Sequence, residues 1–324
     1  MATVAYTKGL HELGDGLFAY LQPDGGWGWS NAGLVTGAAT SLLIDTLFDI
    51  PLTCEMLETM RSVTDARPID VAVNTHGNGD HCFGNGALPK QAVIYATARA
   101  VEDMREEPPA LLRTVLASDL GPDLNAFAAR IFGPFQFDGL EPRLPSQTFE
   151  GRLELDVGGR TVEVIEVGPA HTGGDAILHV PGAATVFTGD ILFIDGTPII
   201  WAGPISNWIA ACDRIIALGA RTLVPGHGPI TDNDGVTDVK RYLEYIRDHA
   251  RMRFDAGMGP REAAEDIDLS DFADWTGAER IVQNVDELYR EFDPSRPTVS
   301  KIEIFQGMAH WAKRHGRSAA RVLA

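Results

Sequence analysis

Short runs of apolar residues, punctuated by glycine, fill the first part of the chain and predict β-strands at residues 17–21, 32–35 and 40–45. Apolar residues then recur every three or four positions over residues 51–62, which predicts a helix, and residues 71–74 return to a short buried strand. The chain therefore begins with β-structure and leads into a strand, helix, strand unit.

The middle of the chain repeats this unit, with a predicted strand at residues 92–95 and a predicted helix at 97–105. From about residue 107 to residue 145 the sequence is rich in Leu, Ala, Phe and Pro without strand alternation. Because this length is unusual for a loop, we expect a helical insertion. Strand patterns return at residues 153–157, 161–167, 176–180 and 185–188.

Helical spacing dominates the rest of the chain. A helix at residues 207–218 and a short strand at 222–224 are followed by predicted helices at 236–256, 260–265, 277–292 and 299–315. Two β-rich halves, each with helices after its strands, predict two sheets packed face to face with helices outside, a four-layer α/β fold. Residues 1–231 would form this domain, and residues 232–324 a helical C-terminal extension packed on its core.

Composition limits the classes of partner. The 324 residues are 44% hydrophobic, and 27 Lys and Arg against 45 Asp and Glu give a net charge of −18, which argues against a nucleic acid or an anionic membrane. No stretch approaches the roughly 20 apolar residues of a membrane span, and residues 1–10 lack a signal-peptide pattern. We therefore expect a cytoplasmic protein with a small-molecule partner.

The three cysteines, Cys54, Cys82 and Cys212, are far apart and form no Cys-x-x-Cys pair. This spacing fits a reducing compartment and provides neither a disulfide framework nor a thiolate zinc site. Any metal chemistry must therefore use nitrogen and oxygen ligands.

Candidate ligands of this kind occur directly after a predicted strand, where residues 74–81 read Asn-Thr-His-Gly-Asn-Gly-Asp-His. The glycines allow tight backbone turns that can direct several side chains to one point. Histidine and aspartate are suitable ligands for Zn, Fe or Mn. Three more candidates, His171, Asp190 and His227, each follow an apolar run, and strand ends are where rigid scaffolds present functional groups.

This ordered set resembles the metallo-β-lactamase superfamily, whose loop normally reads His-x-His-x-Asp-His and is followed by a His, an Asp and a His. The match spans His76 to His227, and Asp45 at the end of its strand also fits the family pattern. The Pro-Gly-His-Gly sequence at 225–228 and the lack of a cysteine ligand resemble the glyoxalase II and lactonase-like branches. The resemblance implies a four-layer αββα sandwich.

One position departs from the family loop, because Asn78 stands where the second histidine is expected. The resemblance assigns a first metal site to His76, Asn78 and His171, a second to Asp80, His81 and His227, and a bridging position to Asp190. The second site is complete. An amide oxygen is a weaker zinc ligand than imidazole, so either one zinc or an unequal pair is implied, with Fe or Mn as alternatives.

The mechanism that the resemblance implies is hydrolysis of an ester, thioester, lactone or amide of a small, aromatic or acyl-bearing molecule. A hydroxide generated on the metal would attack the carbonyl, and Asp80 would hold this nucleophile and accept its proton as the catalytic residue. Two alternatives on the same fold remain open: a mononuclear-iron dioxygenase, and a non-hydrolytic cyclase or lyase of secondary metabolism.

Aromatic residues in the two loops that overhang the metals in this family are candidates for substrate binding. They are Trp27, Trp29, Phe193 and Trp201, which would form an apolar pocket for a ring. Ordinary core packing is the alternative for each, and it is the preferred interpretation for Trp208. The helical tail is equally compatible with a homodimer surface and with a lid.

Overall fold

The computed structural model describes residues 4–315 and builds them around two β-sheets. Residues 1–3 and 316–324, the outer ends of the two predicted domain ranges, lie outside the described residues. The first sheet is seven-stranded, antiparallel over its first four strands and parallel over the rest. Its strands in spatial order are β1 (Gly9–Gly14), β2 (Leu17–Leu21), β3 (Ala32–Thr36), β4 (Ser41–Ile44), β5 (Ile69–Val73), β6 (Val93–Thr97) and β7 (Gln147–Phe149).

The second sheet is five-stranded and has the order β12-β11-β10-β9-β8, with only the β11–β12 pair parallel. Its strands are β8 (Arg152–Val157), β9 (Arg160–Glu166), β10 (Ala176–Val180), β11 (Thr185–Phe193) and β12 (Thr222–His227). Helices of the described residues are α1 (Ile50–Thr64), α2 (Gly79–Cys82), α3 (Ala98–Glu106), α4 (Pro109–Ala117), α5 (Pro122–Phe132), α6 (Ile205–Ala217), α7 (Asn233–Asp255), α8 (Pro260–Asp266), α9 (Ile281–Phe292) and α10 (Lys301–His315). Within residues 4–315, no helix has the length and apolar character needed to cross a membrane.

Strand alternation explains the layers. Leu42 and Leu43 are neighbours in β4 and point to opposite faces: Leu42 joins a cluster with Phe187 of the second sheet, whereas Leu43 joins a cluster with Met56 of α1. A third cluster joins the outer face of the second sheet, through Val186, to helices α6 and α7. The predicted four-layer arrangement is thereby confirmed, and so is the helical character of the insertion and of the C-terminal region.

The structure differs from the sequence predictions at three strands. β1 and β7 were not predicted, because β1 alternates only weakly between two glycines and β7 has three residues. β11 was expected to end at Thr188 but continues to Phe193, with a register shift at Gly189. Gly189 and Asp190 interrupt the apolar pattern, yet all nine residues of β11 are buried, so the candidate ligand Asp190 lies inside a strand rather than after it.

The helices beyond residue 232 share the large hydrophobic cluster with the second sheet. Buried side chains of α9 also bond to the loop after β11: Asn284 accepts a hydrogen bond from Ile200 N at 2.8 Å and donates one to Pro198 O at 2.9 Å. These bonds hold the C-terminal region against the segment that overhangs the candidate site. The division of the chain at residue 231 stays a prediction.

Candidate metal centre

The candidate ligands lie where the carboxyl ends of several strands meet at one edge of the sandwich. His76 follows β5, His171 follows β9, and His227 is the last residue of β12. A hydrogen bond from Ala176 N to Thr75 O, 2.8 Å long, joins the two sheets beside them. The sheets thus position residues that are up to 151 positions apart in the chain, from His76 to His227.

The side chains form two adjoining groups. One contains His76, His171 and Asp190, the other Asp80, His81 and His227, and within each group the ligand atoms lie within 4.8 Å of one another. Asp190 lies between the groups, because its carboxylate oxygens are 3.0 Å from His81 Nε2, 3.4 Å from His171 Nε2 and 3.4 Å from His227 Nε2. This location is compatible with the bridging role that the resemblance implies for Asp190, which stays a prediction.

Hydrogen bonds on the far side of the rings orient two of the histidines. His81 Nδ1 donates to Asp45 Oδ2 at 2.9 Å, and His171 Nδ1 donates to Ile199 O at 2.7 Å. Asp45 is itself fixed by Thr75, whose N and Oγ1 donate to the carboxylate at 2.7 and 2.8 Å. With the proton on Nδ1, each ring is oriented so that Nε2 can coordinate a metal, as in metal-binding histidines.

Among the described residues, three buried atoms that face the site make no hydrogen bond of acceptable geometry: His76 Nε2, and His81 Nε2 and Asp190 Oδ1, which lie 3.0 Å apart. Buried polar atoms are rarely left in this state, because losing water without a replacement bond is costly. Divalent cations held by the two groups of ligands would satisfy these atoms. The residues present therefore fit a metal ion, and the nitrogen and oxygen donor set suits zinc, with iron and manganese as alternatives.

Protonation favours metal binding at His76, His171 and Asp80. At His81 and His227 a metal would have to displace a proton, because burial acts to lower the pKa but Asp190 outweighs it and raises the pKa of both. Burial lowers the pKa of His76 well below its usual value and that of His171 to about 4. For Asp80, burial acts to raise the pKa, but His81 and His227 outweigh it and bring the pKa to about 2. Neutral imidazoles and ionised carboxylates are the forms that coordinate metals.

Asn78 occupies the position of the missing histidine and faces the first group. Its Oδ1 lies 2.8 Å from Nε2 of His171. Because His171 donates from Nδ1 to Ile199 O, its Nε2 carries a lone pair that the NH₂ end of the amide can bond. The amide can also turn its oxygen toward a cation between the two residues, so Asn78 belongs to the site in either orientation.

Steric contacts explain why the first glycine of the Pro-Gly-His-Gly sequence, Gly226, cannot be a larger residue. A Cβ atom at Gly226 would lie 1.9 Å from Asp190 Oδ1, far inside van der Waals contact. Only glycine therefore allows β12 to approach β11 closely enough to bring His227 and Asp190 together.

Cys82 shows no sign of being a ligand. Its buried thiol faces main-chain oxygens, with Sγ 3.2 Å from Asn78 O, and burial raises the pKa of this thiol well above its usual value. A neutral thiol is a poor metal ligand.

We expect Asp45→Asn to weaken metal binding about ten- to hundredfold, the usual cost of losing a partner behind a ligand. The substitution removes the charge that accepts the His81 proton, and asparagine tolerates the left-handed φ of 61° at this position. Competition with a chromogenic chelator measures the affinity. Asp49→Asn is the matched control, since Asp49 is equally buried but caps α1 outside the site. Equal metal affinity in the native protein and Asp45→Asn would contradict the assigned role.

An apolar cavity opens above the ligands. Trp27, Phe193 and Trp201 line it together with Asp80, Asp190 and His227, so three of the four aromatic residues predicted to bind substrate lie on its wall. Trp29 lies outside this cavity and packs on Phe135, with ring centroids 4.9 Å apart. Trp208 is fully buried and donates from Nε1 to Ile191 O at 2.9 Å, in keeping with its preferred interpretation as a core residue.

Sequence reasoning missed two residues of the site. Asp175 fixes the His171 loop by accepting hydrogen bonds from Ala170 N at 3.1 Å and from Thr172 N at 2.9 Å; the Gly-Gly-Asp sequence after Thr172 was its only signal. Arg280 lines the cavity from the C-terminal region. No spacing in the sequence links Arg280 to the ligand motif.

Comparison with known proteins gives one family match. The family model described as the metallo-beta-lactamase superfamily matches residues 25–227. This range includes every candidate ligand, from His76 to His227, and covers more than half of the 324 residues.

Relatives of known activity match parts of the chain. A linear primary-alkylsulfatase of Pseudomonas sp. is 23% identical over 259 residues, which cover 70% of this chain and 48% of that protein. A hydroxyacylglutathione hydrolase of Fuscovulum blasticum is 32% identical over 114 residues, covering 35% of this chain and 44% of that protein. The chain thus spans about half the length of these relatives.

Solved structures share the fold. The sec-alkylsulfatase Pisa1 from Pseudomonas sp. aligns with a TM-score of 0.68 at 16% identity, covering 90% of this chain and 52% of that one. A metallo-beta-lactamase from Pontibacter korlensis aligns with a TM-score of 0.54 at 18% identity, covering 74% of this chain and 99% of that one. The greater coverage of this chain by the alkylsulfatase shows that the similarity extends beyond the lactamase-sized core.

Proposed function

Because this chain belongs to the metallo-β-lactamase superfamily, we propose that it is a metal-dependent hydrolase that cleaves an ester-type bond in a small apolar molecule. The relatives with named activities are hydrolases of a sulfate ester and of a glutathione conjugate. The ester, thioester, lactone and amide bonds expected from the sequence stay within the proposal, and the alkylsulfatase relatives add sulfate esters.

One observation carries the proposal: buried, unpartnered ligand atoms converge at the floor of an apolar cavity. His76 Nε2, His81 Nε2 and Asp190 Oδ1 are preorganised for a cation by the fold alone. The walls above them, including Trp27 and Trp201, are suited to the apolar part of a substrate. A metal site that opens into such a cavity brings a bound substrate to the metal.

A divalent cation held here would lower the pKa of a water molecule and polarise the oxygen of the bond to be cleaved. We propose that Asp80 would accept the proton of that water. It is ionised, its side chain is 14% exposed, and it lines the cavity while its Oδ2 lies 3.3 Å from His227 Nε2. Trp27 and Trp201 hold the apolar part of the substrate and exclude bulk water.

Zinc is the metal we propose, since four imidazoles and two carboxylates form a donor set that suits it. The same donors also bind iron and manganese. A cytoplasmic location, a small-molecule partner and a homodimer stay predictions from the sequence.

We expect removal of the metal with a chelator to lower ester hydrolysis at least about a hundredfold, and added zinc to restore it. Suitable probes are 4-nitrophenyl octanoate for carboxylic esters and octyl sulfate for sulfate esters. Product release is followed by absorbance and by sulfate analysis, and metal content by elemental analysis of the same samples. Hydrolysis that continues at full rate in metal-free protein would contradict the proposed function.

A further inference from the structure

Arg280 places a buried positive charge on the wall of the cavity that contains the candidate ligands. The residue is 3% exposed and lines the cavity together with Asp80, Asp190 and His227. Burying a guanidinium is costly, so buried arginines normally pair with a carboxylate. A counter-charge close to the Arg280 guanidinium is therefore expected.

Within residues 4–315, no carboxylate oxygen lies within ion-pair distance of the Arg280 guanidinium. The only hydrogen bond of the guanidinium there runs from Nη1 to Thr197 O at 2.7 Å, and Nε has no partner. The neighbouring Glu279 faces other groups: its Oε1 accepts a hydrogen bond from Trp27 Nε1 at 3.1 Å and lies 3.5 Å from Arg130 Nη2. Burial lowers the pKa of Arg280 and outweighs the carboxylates of Glu279, Asp190 and Asp80, which act to raise it.

Aromatic rings hold the guanidinium in place beside the metal centre. Its central carbon lies 4.4 Å from the ring centroid of Trp27 and 5.2 Å from that of Phe193. Phe193 in turn stacks on His227, with centroids 5.0 Å apart and planes at 3°. Cation–π contacts use the face of the guanidinium and leave its N–H edge available to an oxyanion.

The outer part of the same cavity is largely apolar, and its two charged residues, Lys301 and Glu107, pair with each other. Leu111 and Ile302 line it although they are 45% and 46% exposed, and Phe305 lies among the other lining residues. The cavity thus combines a fixed cation near the candidate ligands with apolar walls toward solvent. A molecule that matches both ends is an amphiphilic anion.

We propose that Arg280 binds an oxyanion of the substrate, so that the enzyme acts on apolar molecules that carry a negatively charged group near the bond to be cleaved. The role of this anion as part of a substrate rests on the proposed function, whereas its binding requires no turnover. The fork of N–H donors suits the paired oxygens of a carboxylate, sulfate or sulfonate. Arg280 is then a specificity residue contributed by the C-terminal region.

A purely structural role of Arg280 predicts a different effect on ligand binding. If Arg280 only anchored the C-terminal region through Thr197 and the two rings, its removal would weaken the binding of charged and neutral ligands alike. Charge-selective binding therefore separates the two roles.

Isothermal titration calorimetry of octane-1-sulfonate and octan-1-ol on the zinc-loaded protein tests the proposal. The probes share an apolar chain, and a sulfonate is a weak metal ligand. We expect the native protein to bind the sulfonate at least about ten times more tightly than the alcohol, as a charge-assisted hydrogen bond predicts. Arg280→Met should reduce sulfonate affinity about 10- to 100-fold and leave octan-1-ol affinity within about twofold.

Two further variants complete the design. Arg280→Lys should recover part of the sulfonate affinity, because it keeps the charge but loses the fork. Arg253→Met is the matched control, since Arg253 lies in the same helical region but pairs with Asp266 at 2.9 Å; it should bind both probes as the native protein does. If Arg280→Met fails to fold, two measurements still test the proposal: the affinities of the native protein for the two probes, and the sulfonate affinity of Arg280→Lys.

Equal affinity of the native protein for the two probes would overturn the proposal, as would an Arg280→Met variant that loses affinity for both. A charge preference lost in Lys301→Met but kept in Arg280→Met would also overturn it, because Lys301 is a second cation on the cavity wall. A protein that prefers the sulfonate but hydrolyses no ester would support the anion site and contradict the proposed function.

Discussion

Asp190→Ala should leave the protein folded but without bound metal, and should reduce turnover by about three orders of magnitude. The expected loss exceeds the ten- to hundredfold cost of removing a residue behind a ligand, because Asp190 adjoins both groups of ligands. Its carboxylate lies 3.0 Å from His81 Nε2 and 3.4 Å from His171 Nε2. Without the Asp190 carboxylate, both groups of ligands lose the negatively charged donor that they share.

Elemental analysis and turnover of the same purified sample measure this effect. His227→Ala should behave in the same way, since His227 Nε2 lies within 3.4 Å of both Asp80 and Asp190. His179→Gln is the control for removing a histidine elsewhere, because His179 pairs with Glu163 at 3.0 Å outside the site. Full metal content and full turnover in Asp190→Ala would show that the site is wrongly assigned.

Asn78→His should raise the metal content from about one to about two ions per chain. His76 and His171 already face the first group, and the new imidazole supplies the stronger third donor that the amide lacks. The change costs no helix cap, since the Asn78 side chain makes no capping hydrogen bond at the start of α2. Elemental analysis of zinc-saturated, desalted protein measures the stoichiometry.

Turnover of the same variant shows what Asn78 does in the native enzyme. A fall in turnover despite the second metal would mean that the amide contributes to the native reaction, by binding substrate or by orienting water. A rise would mean that the native enzyme is limited by a weak first site. Native protein that already holds two tightly bound metals would contradict the premise that Asn78 weakens this site.

The sequence predicted which candidate ligands the structure brings together, because each belongs to a short local motif. That they hold a metal stays a prediction. These motifs lie at strand ends, and parallel strands bring their carboxyl ends to one edge of a sheet. Asp190 lies within β11 rather than after it, but the motif order still gave its place between the two groups. Apolar alternation similarly predicted the layers, since Leu42 and Leu43 must point to opposite faces.

The substrate cavity was predicted less completely, because its walls depend on how distant segments pack. Trp27 donates to Glu279, 252 positions later in the chain, and no periodicity encodes this contact. Arg280 reaches the cavity only because α9 docks on the loop after β11. Trp29, two residues from Trp27, points away from the cavity to Phe135, which the sequence pattern could not distinguish.

The origin of the oxygen in the product tests the central claim, metal-dependent hydrolysis, most directly. The zinc-loaded protein would be incubated with 4-nitrophenyl octanoate or octyl sulfate in water enriched with oxygen-18. The reaction would be run with and without dissolved oxygen gas, and the masses of the products would be determined by mass spectrometry. The account predicts one labelled oxygen in octanoic acid from the carboxylic ester, and one labelled oxygen in either sulfate or octanol from octyl sulfate. Both should form at the same rate in the two atmospheres, and at least about a hundredfold more slowly after the metal is removed. Products that take their oxygen from oxygen gas, or that form without any label, would contradict the account.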